Sequence, residues 1–138
     1  MKKKSTWLYL ITAIILFFLL IIIIKSLGPS PQKTVKQYFN HIKLEQYDQA
    51  YELIDGTYKK TKGTLEEFSS QFDNSRQHGT VYERVKVIQV RETSRVSQKI
   101  VAFTLYSKEK GRKTEANGSY VVEYNKTTKK WLIVDSLN

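Results

Sequence analysis

The first hydrophobic pattern along the chain is an unbroken apolar run over residues 7–24, WLYLITAIILFFLLIIII, in which Thr12 is the only polar side chain. As a helix this run is about 27 Å long, against a hydrocarbon core of about 30 Å. Lysine side chains that reach the headgroups at either end close the difference. The pattern predicts a transmembrane helix over residues 7–25, preceded by a short basic tail over residues 1–6.

A cleaved signal peptide is the competing interpretation of this segment. The apolar core of a signal peptide is about 7–15 residues long and is followed by small residues spaced like A-x-A. Here the run is longer, and the sequence that follows it, IKSLGP, lacks that spacing. We therefore expect an uncleaved, single-pass anchor in the cell membrane.

Orientation is predicted from the charges on either side of the apolar run. The wholly basic tail favours a cytoplasmic N-terminus and an extracytoplasmic C-terminal domain. Lys25, Lys33 and Lys36 follow the run on its other side, so the charge bias is modest.

Two amphipathic helices are predicted after a linker over residues 26–30. Ser30 and Pro31 are typical of an N-cap and a first helical position. Apolar residues recur at i, i+3, i+4 and i+7 from Val35, and the same spacing begins again at Tyr47. Each series predicts a helix with one buried face.

A third helix is predicted to begin at Thr64, which forms a capping box with Glu67. The second helix is predicted to end at Asp55, where a glycine follows. Residues 57–62 between the two helices are polar and basic, and we predict a loop there.

The remaining sequence predicts four β-strands. Alternation of apolar and polar positions places them over residues 81–91, 96–106, 120–124 and 131–134. In the first strand the alternation slips by one residue at Val87, which predicts a β-bulge.

The order of the elements predicts the fold class. Three helices followed by an antiparallel meander favour an α+β domain over residues 31–138, with the helices packed on one face of a curved four-stranded sheet. With the N-terminal transmembrane helix in front of it, this is one domain on one anchor.

Four segments carry a family resemblance: TVKQYF from Thr34, YDQAYELI from Tyr47, LEEF from Leu65 and KWLI from Lys130. They are similar to helix and strand signatures of the nuclear-transport-factor-2-like (cystatin-like) superfamily, and more narrowly of its bacterial membrane-anchored, extracytoplasmic branch. The resemblance implies a cone-like domain. These signatures describe packing, so they do not fix an activity.

Relatives by this resemblance point to binding rather than to chemistry. They include uncharacterised single-pass proteins, the N-terminal domain of some penicillin-binding proteins and periplasmic scaffold subunits of conjugation (type IV secretion) machines, none of which is catalytic. Enzymes with the fold, such as ketosteroid isomerases and dehydratases, carry acids or histidines inside the cone.

Composition narrows the possible chemistry. The chain has no cysteine, which excludes a disulfide scaffold, a thiolate metal site and a cysteine nucleophile. Its formal net charge is +10, which fits lipid headgroups, an acidic wall polymer or nucleic acid as a neighbour, although plain solubility is the favoured interpretation. Nucleic acid is not expected, because aromatic residues do not alternate with the basic ones. The candidate basic loops contain Lys59, Lys60, Lys62, Lys110, Arg112 and Lys113.

Catalytic constellations are not evident in the sequence. His41 and His78 are far apart and are interpreted as surface or structural histidines, so no metal ligands are predicted. Asp135 falls on the same predicted strand face as Trp131 and Ile133, so it could point into a cone, although the end of the last strand more often lies on the rim. We predict no catalytic residue and no cofactor.

The aromatic residues are expected to pack the core. Tyrosine is frequent, at nine residues, and a buried phenol requires a hydrogen-bond partner, so some tyrosines are expected at a rim or groove. The candidate partner or ligand groove contains Tyr38, Tyr51, Tyr120, Tyr124, Trp131 and Asp135.

The leading hypothesis is a non-catalytic, membrane-anchored module of the bacterial envelope that binds a protein partner or a second copy of itself. A secretion or conjugation assembly is the setting that the resemblance implies. Two alternatives stay open: a cone that binds or transforms a small molecule, which needs an inward acid or histidine, and a cationic domain that binds an anionic envelope polymer.

Overall fold

A computed structural model describes the backbone of residues 3–137 and the side chains of residues 9–23 and 28–137. Its elements in chain order are α1 (Lys3–Leu27), α2 (Pro31–Lys43), α3 (Tyr47–Glu52), α4 (Gly56–Lys62), α5 (Leu65–Gln77), β1 (Thr80–Glu92), β2 (Gln98–Glu109), β3 (Arg112–Asn125) and β4 (Lys130–Leu137).

Helix α1 contains the apolar run and extends into the predicted linker, since it ends at Leu27. Every side chain from residue 9 to residue 20 is exposed. Over the residues whose side chains the structure describes, which in α1 are residues 9–23, no helix has both the length and the apolarity needed to cross a bilayer. Three members of the predicted run, Trp7, Leu8 and Ile24, lie outside the described side chains.

Helix α2 begins as predicted. The hydroxyl of Ser30 accepts a hydrogen bond from the backbone N–H of Lys33 at 3.2 Å, and Pro31 occupies the first helical position. Its apolar face is buried against the sheet. The capping box of α5 is also confirmed, because the backbone N–H of Thr64 donates to Glu67 Oε2 at 2.7 Å and the backbone N–H of Glu67 donates to Thr64 Oγ1 at 3.2 Å.

Helix α3 is shorter than predicted because the chain leaves it to pair with the last strand. Ile54 forms a parallel bridge with Ile133. The N–H of Asp55 donates to the Ile133 carbonyl at 2.8 Å, and the N–H of Ile133 donates to the Leu53 carbonyl at 2.8 Å. This pairing covers the outer edge of β4 at its most buried position.

The loop predicted over residues 57–62 is wrong, because this segment forms helix α4. Asp55 caps it by accepting from the Thr57 N–H at 2.9 Å. Tyr58 is its one buried residue. A single buried side chain in so short a helix leaves no apolar periodicity to find in the sequence.

The four strands form one antiparallel sheet in the order β1-β2-β3-β4, as the meander predicts. The bulge in β1 is confirmed between Val87 and Gln89, and a second one lies between Tyr82 and Arg84. A third irregularity lies in β4, opposite the step from Val121 to Val122.

The core lies between the helices and one face of the sheet. Its largest fully buried side chains come from α2, α5, the segment after α3 and three strands: Val35, Ile42, Ile54, Phe68, Val101, Val122 and Ile133. The α+β class and the helix-on-sheet packing are therefore confirmed, with four helices instead of three in the described part of the domain.

Candidate functional site

The space that would hold a ligand in a hollow cone is occupied by aromatic rings. The ring of Phe39 lies 4.9 Å from that of Phe103 and 5.9 Å from that of Tyr120, and the rings of Phe103 and Tyr120 are 5.1 Å apart. Tyr38 meets Tyr120 edge-on at 5.7 Å. Gly118 makes room for this cluster, because a Cβ there would lie 2.9 Å from Phe103 Cζ.

Two of the predicted groove tyrosines belong to this filled interior. Burial raises the pKa of Tyr38 well above its ordinary value of 10.0, and the neighbouring Tyr120 phenol raises it further. Burial also raises the pKa of Tyr120. The hydroxyl of Tyr58 is buried near both and has no hydrogen-bond partner among the described residues. The raised pKa values keep the phenols of Tyr38 and Tyr120 neutral at physiological pH.

Tyr51, another of the predicted groove tyrosines, links two parts of the helical layer. Its hydroxyl donates to the carbonyl of Gly63 at 2.7 Å, which ties α3 to the junction between α4 and α5. The ammonium of Lys59 lies 4.6 Å from the centre of its ring.

Tyr124 and Trp131 are half-buried and lie together where β3 ends and β4 begins. Their rings are 5.5 Å apart. With Ser97, Lys126 and Val96, which is 91% exposed, they line a cavity of about 410 Å³. This is the part of the predicted groove that the structure retains.

Asp135 lies on the surface, which is the placement expected for the end of the last strand, and it does not share the face of Trp131 and Ile133. The register pairs Val121 with Asp135 and Val122 with Ile133, so Val134 is an extra residue in β4. Because side chains alternate along a strand, one extra residue moves everything beyond it to the opposite face. Asp135 is exposed, and its carboxylate accepts from the Ser136 N–H at 2.8 Å.

Both histidines make local hydrogen bonds. Nδ1 of His41 lies 2.8 Å from Gln46 Oε1, and Nδ1 of His78 lies 2.7 Å from the carbonyl of Asn74. Across the described part of the chain, no group of three or more His, Asp or Glu side chains could hold a metal ion.

The basic residues lie on separate elements. Lys59, Lys60 and Lys62 are on helix α4 and not in a loop, and the ammonium of Lys62 lies 4.9 Å from the ring centre of Tyr58. The second cluster, at the β2–β3 turn, lies where it was predicted, with Lys110, Arg112 and Lys113 exposed.

An open groove between α2 and β1 was not predicted. It has a volume of about 490 Å³, with Phe39, Tyr82 and Leu105 among its apolar lining residues and Lys36 and Arg84 among its charged ones. Two further side chains of the β1 edge strand are exposed although they are apolar: Val81 at 58% and Ile88 at 60%. Apolar residues at exposed positions of β1 are the sequence signal that could have indicated an accessible apolar surface along this edge strand.

The chain matches no protein-family model and no curated protein. Solved structures share its fold. One is a SEC-C motif containing protein from Psychrobacter arcticus, at TM-score 0.57 and 11% identity over 77% of this chain, which spans 59% of that protein. Another is a ketosteroid isomerase-like protein from Erwinia carotovora atroseptica, at TM-score 0.53 and 11% identity over 76% of this chain and 88% of that one.

A third solved structure is the intermembrane space region of the chloroplast protein ARC6, at TM-score 0.47 and 16% identity over 77% of this chain and 91% of that one. The likeness to the ketosteroid isomerase-like protein agrees with the α+β fold that the sequence predicts. At these identities the likeness concerns the fold alone.

Proposed function

We propose that this protein is a non-catalytic, membrane-anchored interaction module of the bacterial envelope, with its domain on the extracytoplasmic side. The observation that carries the proposal is the contrast between interior and surface. Aromatic rings fill the inside of the domain, and its one candidate inward acid, Asp135, is exposed. The groove between α2 and β1 is open and accessible to a partner.

The anchor is supported by the surface of α1. The helix is about 37 Å long at about 1.5 Å per residue, and its described side chains from residue 9 to residue 23 are apolar on every side, apart from Thr12 and the phenol of Tyr9. An all-round apolar helix must be covered, either by protein or by lipid. The exposed side chains of residues 9–20 are not covered by the described domain, and lipid is the covering that the unbroken sequence run fits.

The partner groove is supported by its chemistry. It has an apolar floor and a charged rim, in which Lys36 and Arg84 are exposed and Lys108 holds Glu83 at 2.6 Å. This Lys108 contact lowers the pKa of Glu83, so the carboxylate stays charged. An apolar centre with a polar rim is the usual anatomy of a protein interface. The family resemblance makes a secretion or conjugation apparatus the proposed setting.

Site-specific photocrosslinking in whole cells tests this proposal. A photoreactive phenylalanine analogue is placed at Gln37 or Asn40, which are exposed in the groove, and as a control at Gln49, which is exposed on α3. We expect one defined adduct from the groove positions, either with another envelope protein or with a second copy of this chain. The absence of an adduct, or equal adducts from Gln49, would rule out the groove as the binding surface.

The orientation has its own readout in the same cells. Protease added from outside is expected to remove the domain while α1 stays in the membrane. Complete protection of the domain in intact cells, with digestion after lysis, would contradict the extracytoplasmic placement.

A further inference from the structure

The domain is held very close to the end of α1. Only Gly28, Pro29 and Ser30 separate α1 from α2, and three residues span at most about 10 Å. The linker is fixed to the domain, because Lys33 Nζ donates to the Gly28 carbonyl at 3.1 Å and the Lys33 N–H donates to Ser30 Oγ at 3.2 Å.

One end of the sheet lies beside this linker. The linker residues share a cavity of about 330 Å³ with Lys130 and Trp131 at the start of β4. The hydroxyl of Thr34, in the first turn of α2, lies 3.4 Å from the Trp131 carbonyl and donates to it. The start of β4 therefore lies beside the linker that follows the end of α1.

The antiparallel register brings two turns to this same end. The β1–β2 turn and the β3–β4 turn meet there, where the Tyr124 N–H donates to the Ser97 carbonyl at 2.8 Å. The β2–β3 turn lies at the other end of β2, a strand of 12 residues, which is about 40 Å away. We call the surface formed by residues 93–97, 126–131 and Tyr124 the linker-side end.

The linker-side end combines exposed lysines with one exposed and two half-buried apolar side chains. Lys126, Lys129 and Lys130 are exposed, and the sequence from residue 125 to residue 131 contains no acid. Beside them lie the Tyr124–Trp131 ring pair and Val96. Amphipathic aromatics favour the boundary between headgroups and acyl chains, and lysines favour anionic headgroups.

From this arrangement we propose that the linker-side end rests on the anionic lipid headgroups of the bilayer that holds α1. The inference rests on the proposed anchor and adds to it a defined orientation of the domain, in which the β2–β3 turn and its basic cluster point away from the membrane. Each lysine near an anionic surface favours docking about fivefold. The linker supplies the proximity, since its reach of about 10 Å equals the Debye length at about 0.1 M salt.

A fluorescent label on the full-length protein tests this orientation. The chain has no cysteine, so Val96→Cys gives a single attachment site for an environment-sensitive dye on a side chain that packs against no core residue. Lys113→Cys gives the matched site at the β2–β3 turn. Both proteins are reconstituted in vesicles of phosphatidylcholine alone and in vesicles that also contain phosphatidylglycerol, with flotation as the measure of anchoring.

We expect the dye at residue 96, and not the dye at residue 113, to leave water and become accessible to quenchers attached to lipid headgroups in the anionic vesicles. Raising the salt to about 1 M, where the Debye length is about 3 Å, should return it to water. A dye at residue 96 that stays in water while the protein floats overturns the inference but leaves the anchor intact. A protein that does not float overturns both.

Two matched charge variants identify the lysines responsible. The first combines Lys126→Gln, Lys129→Asn and Lys130→Gln, and the second combines Lys110→Asn, Arg112→Gln and Lys113→Gln. Asparagine is used where φ is positive, at Lys129 (54°) and Lys110 (48°), because it tolerates that conformation. The first variant should lower the ratio of docked to undocked domain about a hundredfold and the second should not. Equal effects of the two variants, or equal docking on neutral vesicles, would overturn the proposal.

Discussion

At the scale of single residues, Arg76 joins the C-terminal end of α5 to the C-terminal end of α2. It projects from α5, and its guanidinium donates to the carbonyls of Ile42 and Lys43 at 3.1 and 2.8 Å, at the C-terminus of α2. It also forms an ion pair with Glu45, which has a positive φ of 61°. A cation at this position gives the last carbonyls of α2 a charged donor and opposes the negative end of the helix dipole.

We therefore expect Arg76→Ala to lower the free energy of unfolding by about 1–3 kcal/mol. Urea unfolding of the full chain in detergent, followed by circular dichroism, measures it. Glu45→Gln is the control, because it removes only the ion pair of a side chain that is 60% exposed, and such pairs are worth about 0–1 kcal/mol. If Glu45→Gln cost as much as Arg76→Ala, the carbonyl contacts would not be the main contribution.

At the scale of elements, the packing of β2 against β3 depends on a missing side chain. Phe103 is paired with Gly118 across the two strands and covers it. We expect Gly118→Ala to destabilise the domain by about 1–3 kcal/mol, because the new methyl group would force Phe103 into the aromatic cluster. Thermal unfolding of the full chain in detergent gives the difference.

Gly56→Ala is the matched glycine control. Gly56 is the first residue of α4, and an added Cβ would meet nothing within 4 Å. Alanine restricts the unfolded chain without straining this position, so we expect a gain of up to about 1 kcal/mol. Similar losses for the two substitutions would show that Phe103 is not the cause.

Local patterns in the sequence were sufficient for most elements and insufficient for two decisive details. The capping box at Thr64 and the bulge at Val87 are determined by residues that are close in sequence, so both were predictable. Helix α4 has one buried residue, Tyr58, and its burial depends on tertiary packing that the local sequence does not show. The extra residue in β4 is defined by the pairing of β4 with β3. The alternation of apolar and polar residues from Trp131 onward does not reveal that pairing.

The same limits applied to the candidate groove. The structure distributes its six residues over four places, and composition alone could not separate a core tyrosine such as Tyr38 from a half-buried one such as Tyr124. What the sequence did indicate was that nine tyrosines need partners. The structure supplies them at Tyr47, which donates to Asp73 at 2.9 Å, and at Tyr51.

At the scale of the whole molecule, the buried phenols make the domain sensitive to alkali. Burial first, and then the hydrogen bond to Asp73, raises the pKa of Tyr47 from 10.0 to about 12. Burial also raises the pKa of Tyr38 and of Tyr120. The folded state therefore keeps protons that the unfolded chain releases above about pH 10, so their contribution to stability is complete below that pH and is lost as the pH rises through the folded pKa values.

We expect the free energy of unfolding to fall steadily from pH 10 to pH 12, the range set by the pKa of Tyr47. Tyrosinate absorbance should rise together with the loss of structure. Tyr47→Phe cannot ionise, so it should reduce this slope while lowering stability at pH 8 through the lost hydrogen bond. An unchanged slope in Tyr47→Phe would contradict the assigned pKa.

The bridge between Ile54 and Ile133 also affects the order in which the domain folds. Synthesis proceeds from the N-terminus, yet the segment after α3 finds its strand partner only in the last element of the chain. Contacts so distant in sequence form late and slowly. A nascent chain therefore cannot complete its core, in which Ile54 and Ile133 are both buried, until β4 has been synthesised.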